Sequence, residues 1–149
     1  MSLSQTGQEF DAVLVRKENT ALILYLQKEQ PSAQADMVEL LVQSVDTLAD
    51  VTFFSPDSDN FAYHLAHTRG GIVFAAALGL SALVFRLPKQ ALSGALAKGG
   101  EMFNELGENW IMFNPFWPER DDEHRLQEMQ HWCRLAYHHA LALENPAAE

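Results

Sequence analysis

The sequence predicts a single α+β domain in which an antiparallel sheet packs against N-terminal helices and a long C-terminal helix. Apolar residues recur at helical intervals at both ends of the chain, and they alternate with period two in the middle. The chain has 149 residues, and 48% of them are hydrophobic, which suits one domain with a full core. We therefore expect one domain over residues 1–149, made of a helical extension at 1–30 and an α+β core at 32–143.

The front of the chain is predicted to form two helices. The first ends before Pro31, and a strand over Ala21 to Leu26 is the competing interpretation. Ser32 is the expected N-cap of the second helix. The apolar positions at helical spacing are Phe10, Val13, Leu14, Ala21, Leu24 and Tyr25 in the first helix, and Met37, Leu40, Leu41, Val45 and Leu48 in the second.

The middle of the chain is predicted to be a set of strands. A loop rich in Pro, Asp, Asn and Ser separates it from the helices at residues 55–60. Strands are expected over 61–66, 71–78 and 81–87. Because Gly79 and Leu80 are the only residues between the last two, and glycine suits the first position of a type II′ turn, we expect a hairpin.

The last third of the chain is predicted to contain two helices and one strand. A short helix from Lys89 to Lys98 should end at Gly99-Gly100, before a strand over Asn109 to Phe113. A long helix should begin at Asp121, where acidic residues complement the helix dipole. Its core-facing positions are Leu126, Met129, Cys133, Ala136, Ala140 and Leu143.

Charge and cysteine content exclude several classes of function. Ten Lys and Arg residues against twenty Asp and Glu give a net charge of −10, which disfavours binding of nucleic acid through a basic surface. The longest apolar run, residues 71–85, is too short to cross a membrane. A single cysteine, Cys133, and no readable secretory signal favour a reducing, cytoplasmic location.

The order of motifs in the middle and end of the chain resembles a known family. Gly70-Gly71-Ile72-Val73-Phe74-Ala75 is followed by Leu83-Val84-Phe85-Arg86-Leu87, then by Trp110-Ile111-Met112-Phe113-Asn114-Pro115 and a helix bearing Trp132 and Ala136. This order is similar to that of the small domains related to the N-terminal domain of the competence regulator TfoX and to YjbR, over about residues 41–143. The Met-Phe-Gly segment that often opens such domains is replaced by Thr52-Phe53-Phe54-Ser55-Pro56. The resemblance implies a compact module that acts through interactions and has no catalytic residues to carry over.

Histidines provide the only candidates for a metal site. His124, Glu128 and His131 are spaced by four and three residues on the last helix, so neighbouring pairs share a face. Against this, His124, His131 and His138 repeat every seven residues opposite the apolar stripe, as an exposed polar stripe would. His64 and His67 form a second pair, but in a strand they would point to opposite faces. We expect no bound cofactor.

Patterns typical of nucleophilic catalysis are missing from the sequence. It contains neither Gly-x-Ser-x-Gly nor a phosphate-binding glycine-rich loop, and Cys133 falls on the apolar stripe of the last helix. An enzyme is therefore the less favoured class, although the sequence leaves it open.

An aromatic cluster at the end of the predicted strand is the best candidate for a binding surface. It consists of Trp110, Phe113, Phe116 and Trp117. Pro115 and Pro118 hold this segment extended, so some rings could be unable to turn inward. The alternative is that the rings pack the end of the sheet against the last helix.

Two functional hypotheses follow from these observations. The first is a non-enzymatic interaction module that binds a protein partner or a second copy of itself through residues 110–117 and the flanking acidic surface, in the role of a regulator, adaptor or immunity protein. The second is a small metal-binding protein or metal-dependent enzyme that uses His124, Glu128 and His131. We favour the first because no set of ligands converges on one point in the sequence.

Overall fold

The computed structural model describes residues 14–56, 62–79, 82–117 and 119–144 and has the predicted α+β architecture. Its helices are α1 (Thr20–Glu29), α2 (Ala35–Val45), α3 (Leu92–Ala97) and α4 (Asp122–Glu144). Its strands are β1 (Thr52–Phe54), β2 (His64–His67), β3 (Val73–Leu78), β4 (Ala82–Arg86), β5 (Glu101–Met102) and β6 (Trp110–Phe113). The strands form one antiparallel sheet in the order β1-β2-β3-β4-β6-β5.

Both faces of the sheet are covered, so the domain has three layers. On one face, side chains of β3, β4 and β6 pack with α2 and α4 around Phe85, Met129 and Ala136. On the other face, β-strand residues pack under α1 around Leu22 and Leu26. The described part of the N-terminal extension therefore contributes to the core.

The β3–β4 hairpin and the C-terminal helix are confirmed as predicted. β3 is buried along its whole length, as expected for a central strand covered on both faces. Leu78 pairs with Ala82, which leaves three residues in the connection, so a two-residue type II′ turn is wrong. Leu80 and Ser81 in that connection lie outside the described residues.

The first helix is confirmed over Ala21 to Leu26, where a strand was the alternative. Its predicted positions Phe10 and Val13, like most of the loop at 55–60, lie outside the described residues. Ser32 is not the N-cap of α2, which begins at Ala35 after Gln34. Instead Ser32 forms a bridge with Ala62.

Two short edge strands, β1 and β5, were not predicted. β1 pairs with β2, and β5 pairs with β6 through Glu101 and Met102. Each has three residues or fewer, too few for alternation to be readable in the sequence.

One predicted signal and one side chain that was not predicted order the connections. Gly99 ends α3 with a φ of 96°, and the N–H groups of Gly99 and Gly100 donate to the carbonyls of Leu96 and Ala95 in a Schellman arrangement. Buried Asn19 joins the N-terminal segment to the sheet. Its Nδ2 donates to the carbonyls of Leu14 and Gly71 at 2.8 and 2.7 Å, and its Oδ1 accepts from the N–H of Val73 at 3.1 Å.

Candidate functional site

The four aromatic residues predicted to bind a partner separate into two pairs. Trp110 and Phe113, on β6, are 1% and 3% exposed. Phe116 and Trp117, in the turn that follows, are 37% and 75% exposed. In this structure a partner could reach only the second pair, so the predicted surface is reduced to Phe116 and Trp117.

The burial of Trp110 and Phe113 follows from the three-layer architecture. Trp110 and Phe113 lie on opposite faces of β6, and each face is covered by helices. Phe113 stacks on Trp132 of α4 with ring centroids 5.3 Å apart. Trp110 belongs to the core under α1, together with Leu106 and Tyr63. Both rings therefore stabilise the domain.

The turn that carries Phe116 and Trp117 is closed by Asn114. Its side-chain oxygen accepts a hydrogen bond from the N–H of Phe116 at 3.1 Å, and its carbonyl accepts from the N–H of Trp117 at 3.3 Å. This arrangement is an Asx turn, for which asparagine is well suited. It projects the indole of Trp117 away from the core.

Arg125, in the first helical turn of α4, holds the loop that carries Phe116 and Trp117. Its side chain is buried, and Nε donates to the carbonyl of Pro115 at 3.0 Å while a terminal nitrogen donates to the carbonyl of Arg120 at 2.7 Å. The other terminal nitrogen bonds Asp122 at 2.5 Å. The guanidinium carbon also lies 4.3 Å from the centre of the Phe116 ring, within cation–π range. The ring of Phe116 is therefore held in one orientation.

A groove of about 580 Å³ runs beside Phe116, between α2 and the start of α4. Its walls carry four carboxylates, and its apolar floor is formed by Leu40 and Leu126. Among the residues that the structure describes, the only basic one that lines it is Arg125, whose charge is already paired with Asp122. We call Phe116, Trp117 and this groove the acidic aromatic surface. Its carboxylates belong to Asp36, Glu39, Asp122 and Glu123.

The predicted metal ligands do not converge. His124 bonds its helix N-cap Asp121 at 2.7 Å, and this bond raises the pKa of His124. Glu128 pairs with Arg120 at 2.8 Å, and His131 packs edge-on against Trp132 with centroids 4.6 Å apart. Within the described ranges, no group of three or more His, Cys, Asp or Glu side chains is placed to hold a metal ion.

His64, His67 and Cys133 occupy structural positions. His64 and His67 both lie on β2, and side chains separated by three residues in a strand point to opposite faces. His67 is buried, and its Nδ1 donates to the carbonyl of Thr68 at 2.7 Å. Burial raises the pKa of the Cys133 thiol to about 12, which leaves it without thiolate character at neutral pH. His124, His131 and His138 are exposed, as an outward stripe should be.

Sequence reasoning missed the contribution of α2 and of Arg125 to this surface. Asp36 and Glu39 are separated from the start of α4 by more than eighty residues, and only the packing of α2 on α4 brings them together. A signal for Arg125 does exist in the sequence, because Asp122 precedes it by three residues on the same helix face.

Comparison with known protein families, with characterised proteins and with solved structures found no match. The resemblance to the TfoX and YjbR domains therefore stays a prediction. Among the described residues, no helix has the length and apolar character that a membrane span requires.

Proposed function

We propose that the protein is a non-enzymatic interaction module that binds a basic segment of a partner protein on the acidic aromatic surface. The observation that carries this proposal is the exposure of Trp117, at 75%, directly after Phe116, which lines a groove rich in carboxylates. Cytoplasmic location, and the role of a regulator, adaptor or immunity protein, remain part of the proposal.

The exposure of Trp117 and the fixed orientation of Phe116 support binding. Tryptophan is enriched among the residues that dominate interface energies. A ring already held in one orientation loses little conformational entropy on binding. The hydrogen bonds of Arg125 to Pro115 and Arg120, together with its contact on Phe116, supply that order before any partner arrives.

The charge of the groove indicates the chemistry of the partner. Four carboxylates around an apolar floor suit a segment with Lys or Arg side chains and at least one apolar side chain. The net charge of −10 also accelerates encounter with a basic protein by electrostatic steering. A second copy of the same groove carries the same charge, so a homodimer through this surface is less favoured than a basic partner.

The supporting experiment is a selection from a random peptide library displayed on phage, with the wild-type protein immobilised. We expect enriched peptides to combine Lys or Arg with a large apolar residue. Their affinity should fall by about tenfold or more in Asp36→Lys/Glu39→Lys, because attraction becomes repulsion, and it should also fall in Trp117→Ala.

The matched control is Glu29→Lys/Glu101→Lys. Both residues are exposed and neither lines the groove, so this variant changes the net charge equally and should bind selected peptides nearly as well as wild type. Enrichment of acidic peptides, no enrichment at all, or equal binding to Trp117→Ala would contradict the proposal. So would a dimer in native mass spectrometry that dissociates in Trp117→Ala, because it would assign the surface to a second copy.

A further inference from the structure

A second concavity, with a volume of about 830 Å³, lies at the other end of α4. It is bounded by the last turns of α4, the segment after β4 and the residues before α1. His138 is sixteen residues beyond Asp122, which places it about 24 Å along the helix from the acidic aromatic surface. The two concavities are therefore separate.

Basic side chains are concentrated around this concavity, although the chain as a whole is strongly acidic. Lys17, Lys89, His138 and His139 line it. Within the described part of the chain, the one carboxylate in its wall belongs to Glu18, which pairs with Arg16 at 3.3 Å. Among the described lining residues, two lysines stand against this one carboxylate, so their formal charge is opposite in sign to that of the whole protein.

A partly buried guanidinium lies behind the wall, bonded to the backbone of the lining residue Glu18. Arg86, at the end of β4, donates to the carbonyl of Glu18 at 2.8 Å. Burial and then the nearby Arg86 charge lower the pKa of His139. The neutral imidazole that this shift favours still carries one N–H that can donate a hydrogen bond to an anion.

The rest of the lining is apolar or neutral. Pro88, Leu135, Ala142 and Leu143 supply apolar wall, and Gln90 and Asn109 carry amides that can donate hydrogen bonds. Small-molecule sites combine an apolar wall with a few polar groups in this way, at volumes of about 300–1,000 Å³.

We propose that this concavity binds a small organic anion, with a phosphate or carboxylate held between Lys17, Lys89 and His139 and an apolar body against Leu135 and Leu143. The site is independent of the proposed protein-binding surface, and the protein carries an opposite charge at each end of α4. We call it the basic pocket.

The test is an NMR titration of the full chain with phenyl phosphate, benzoate and inorganic phosphate. Phenyl phosphate or benzoate should shift the amide signals of Lys89, Gln90 and Asn109 and leave those of Phe116 and Trp117 in place. Whichever binds more tightly identifies the acidic group as phosphate or carboxylate. Inorganic phosphate should bind more weakly than phenyl phosphate, because it cannot use the apolar wall.

Variants in which lysines are replaced by glutamates test whether the anion binds in the basic pocket. In Lys17→Glu/Lys89→Glu, affinity should fall by about tenfold or more, which corresponds to about 1.4 kcal/mol. The matched control, Lys28→Glu/Lys98→Glu, alters two exposed lysines outside the pocket and changes the net charge equally. It should retain most of the affinity.

Three results would overturn the proposal. They are the absence of shifts around the basic pocket with both organic probes, an equal loss of affinity in the control variant, and equal binding of inorganic and phenyl phosphate. None of them would affect the peptide selection, so this proposal and the proposed protein-binding function can fail separately.

Discussion

Trp110 and Trp117 belong to one aromatic segment, yet the first is 1% exposed and the second 75% exposed. Trp110 lies on β6, where α1 covers one face of the sheet and α2 with α4 covers the other. Trp117 lies beyond the strand, in a turn whose backbone is bonded to Asn114. Residue type alone therefore does not separate a core ring from a binding ring in this segment.

The difference in exposure between Trp110 and Trp117 shows that burial in this segment depends on how many faces of the sheet are covered by helices. In a sheet covered on one face, either Trp110 or Phe113 would face solvent, because they lie on opposite sides of β6. The second layer of helices buries both. The exposed pair begins where the strand ends, and substitutions along the segment should therefore have sharply different effects on stability.

The largest effect is expected from Trp110→Ala. Truncating a fully buried aromatic ring removes apolar contacts and leaves a cavity, at a cost of about 3–5 kcal/mol in the free energy of unfolding. Urea denaturation followed by circular dichroism measures the loss. Trp110→Phe should cost less, and it provides the comparison if the alanine variant does not fold. A Trp110→Phe variant as stable as wild type would contradict a packed core role.

An intermediate effect is expected from Arg125→Ala. The substitution leaves the carbonyls of Pro115 and Arg120 without their donor, at a cost of about 1–3 kcal/mol. It should also release the aromatic turn, so selected peptides should bind more weakly. Arg125→Lys should restore only part of the loss, because an ammonium cannot reproduce the planar guanidinium fork. Full rescue by lysine would show that charge alone matters at this position.

A smaller effect is expected from Asp121→Ala, which removes the N-cap of α4. The N–H of His124 donates to Asp121 at 2.8 Å, and this bond lowers the pKa of the carboxyl, whereas Asp121 raises the pKa of His124. The Asp121 contribution is therefore lost as pH falls through its folded pKa, and the His124 contribution is lost as pH rises through its own.

The difference in melting temperature between wild type and Asp121→Ala should accordingly be largest near about pH 5, between the two titrations. Above pH 7 this difference in melting temperature should decrease only in part, because the hydrogen bond from the N–H of His124 persists. In strong acid it should decrease more fully. Melting curves across this range test the effect, with His124→Gln as the control that removes only the upper transition. A difference independent of pH would be inconsistent with the Asp121–His124 pair.

The smallest effect on stability is expected from Trp117→Ala. An exposed side chain away from the core typically changes the free energy of unfolding by less than about 0.5 kcal/mol. The same variant should lose affinity for selected basic peptides. A substantial loss of stability would show that Trp117 is a packing residue, and the contrast with Trp110 would disappear.

The sequence by itself determined the features that depend on local periodicity. Apolar runs and alternation predicted β3, β4 and β6, and spacings of three and four predicted the buried face of α4. Capping chemistry located the end of α3 and the start of α4, because a few adjacent residues satisfy the free backbone groups there. The two-residue turn and the N-cap at Ser32 were wrong, and both places carry contacts to residues distant in sequence, because Gly79 forms a bridge with Ala33 and Ser32 forms one with Ala62.

The tertiary structure alone decided which residues form the two candidate surfaces. The acidic aromatic surface needs α2 packed against the start of α4, and the basic pocket needs Lys17, Lys89 and His139 brought together from three parts of the chain. Carboxylates and lysines on solvent-facing positions look alike in sequence, because exposure imposes no periodicity on their charge. Their grouping by sign arises from the way the helices pack on the two faces of the sheet.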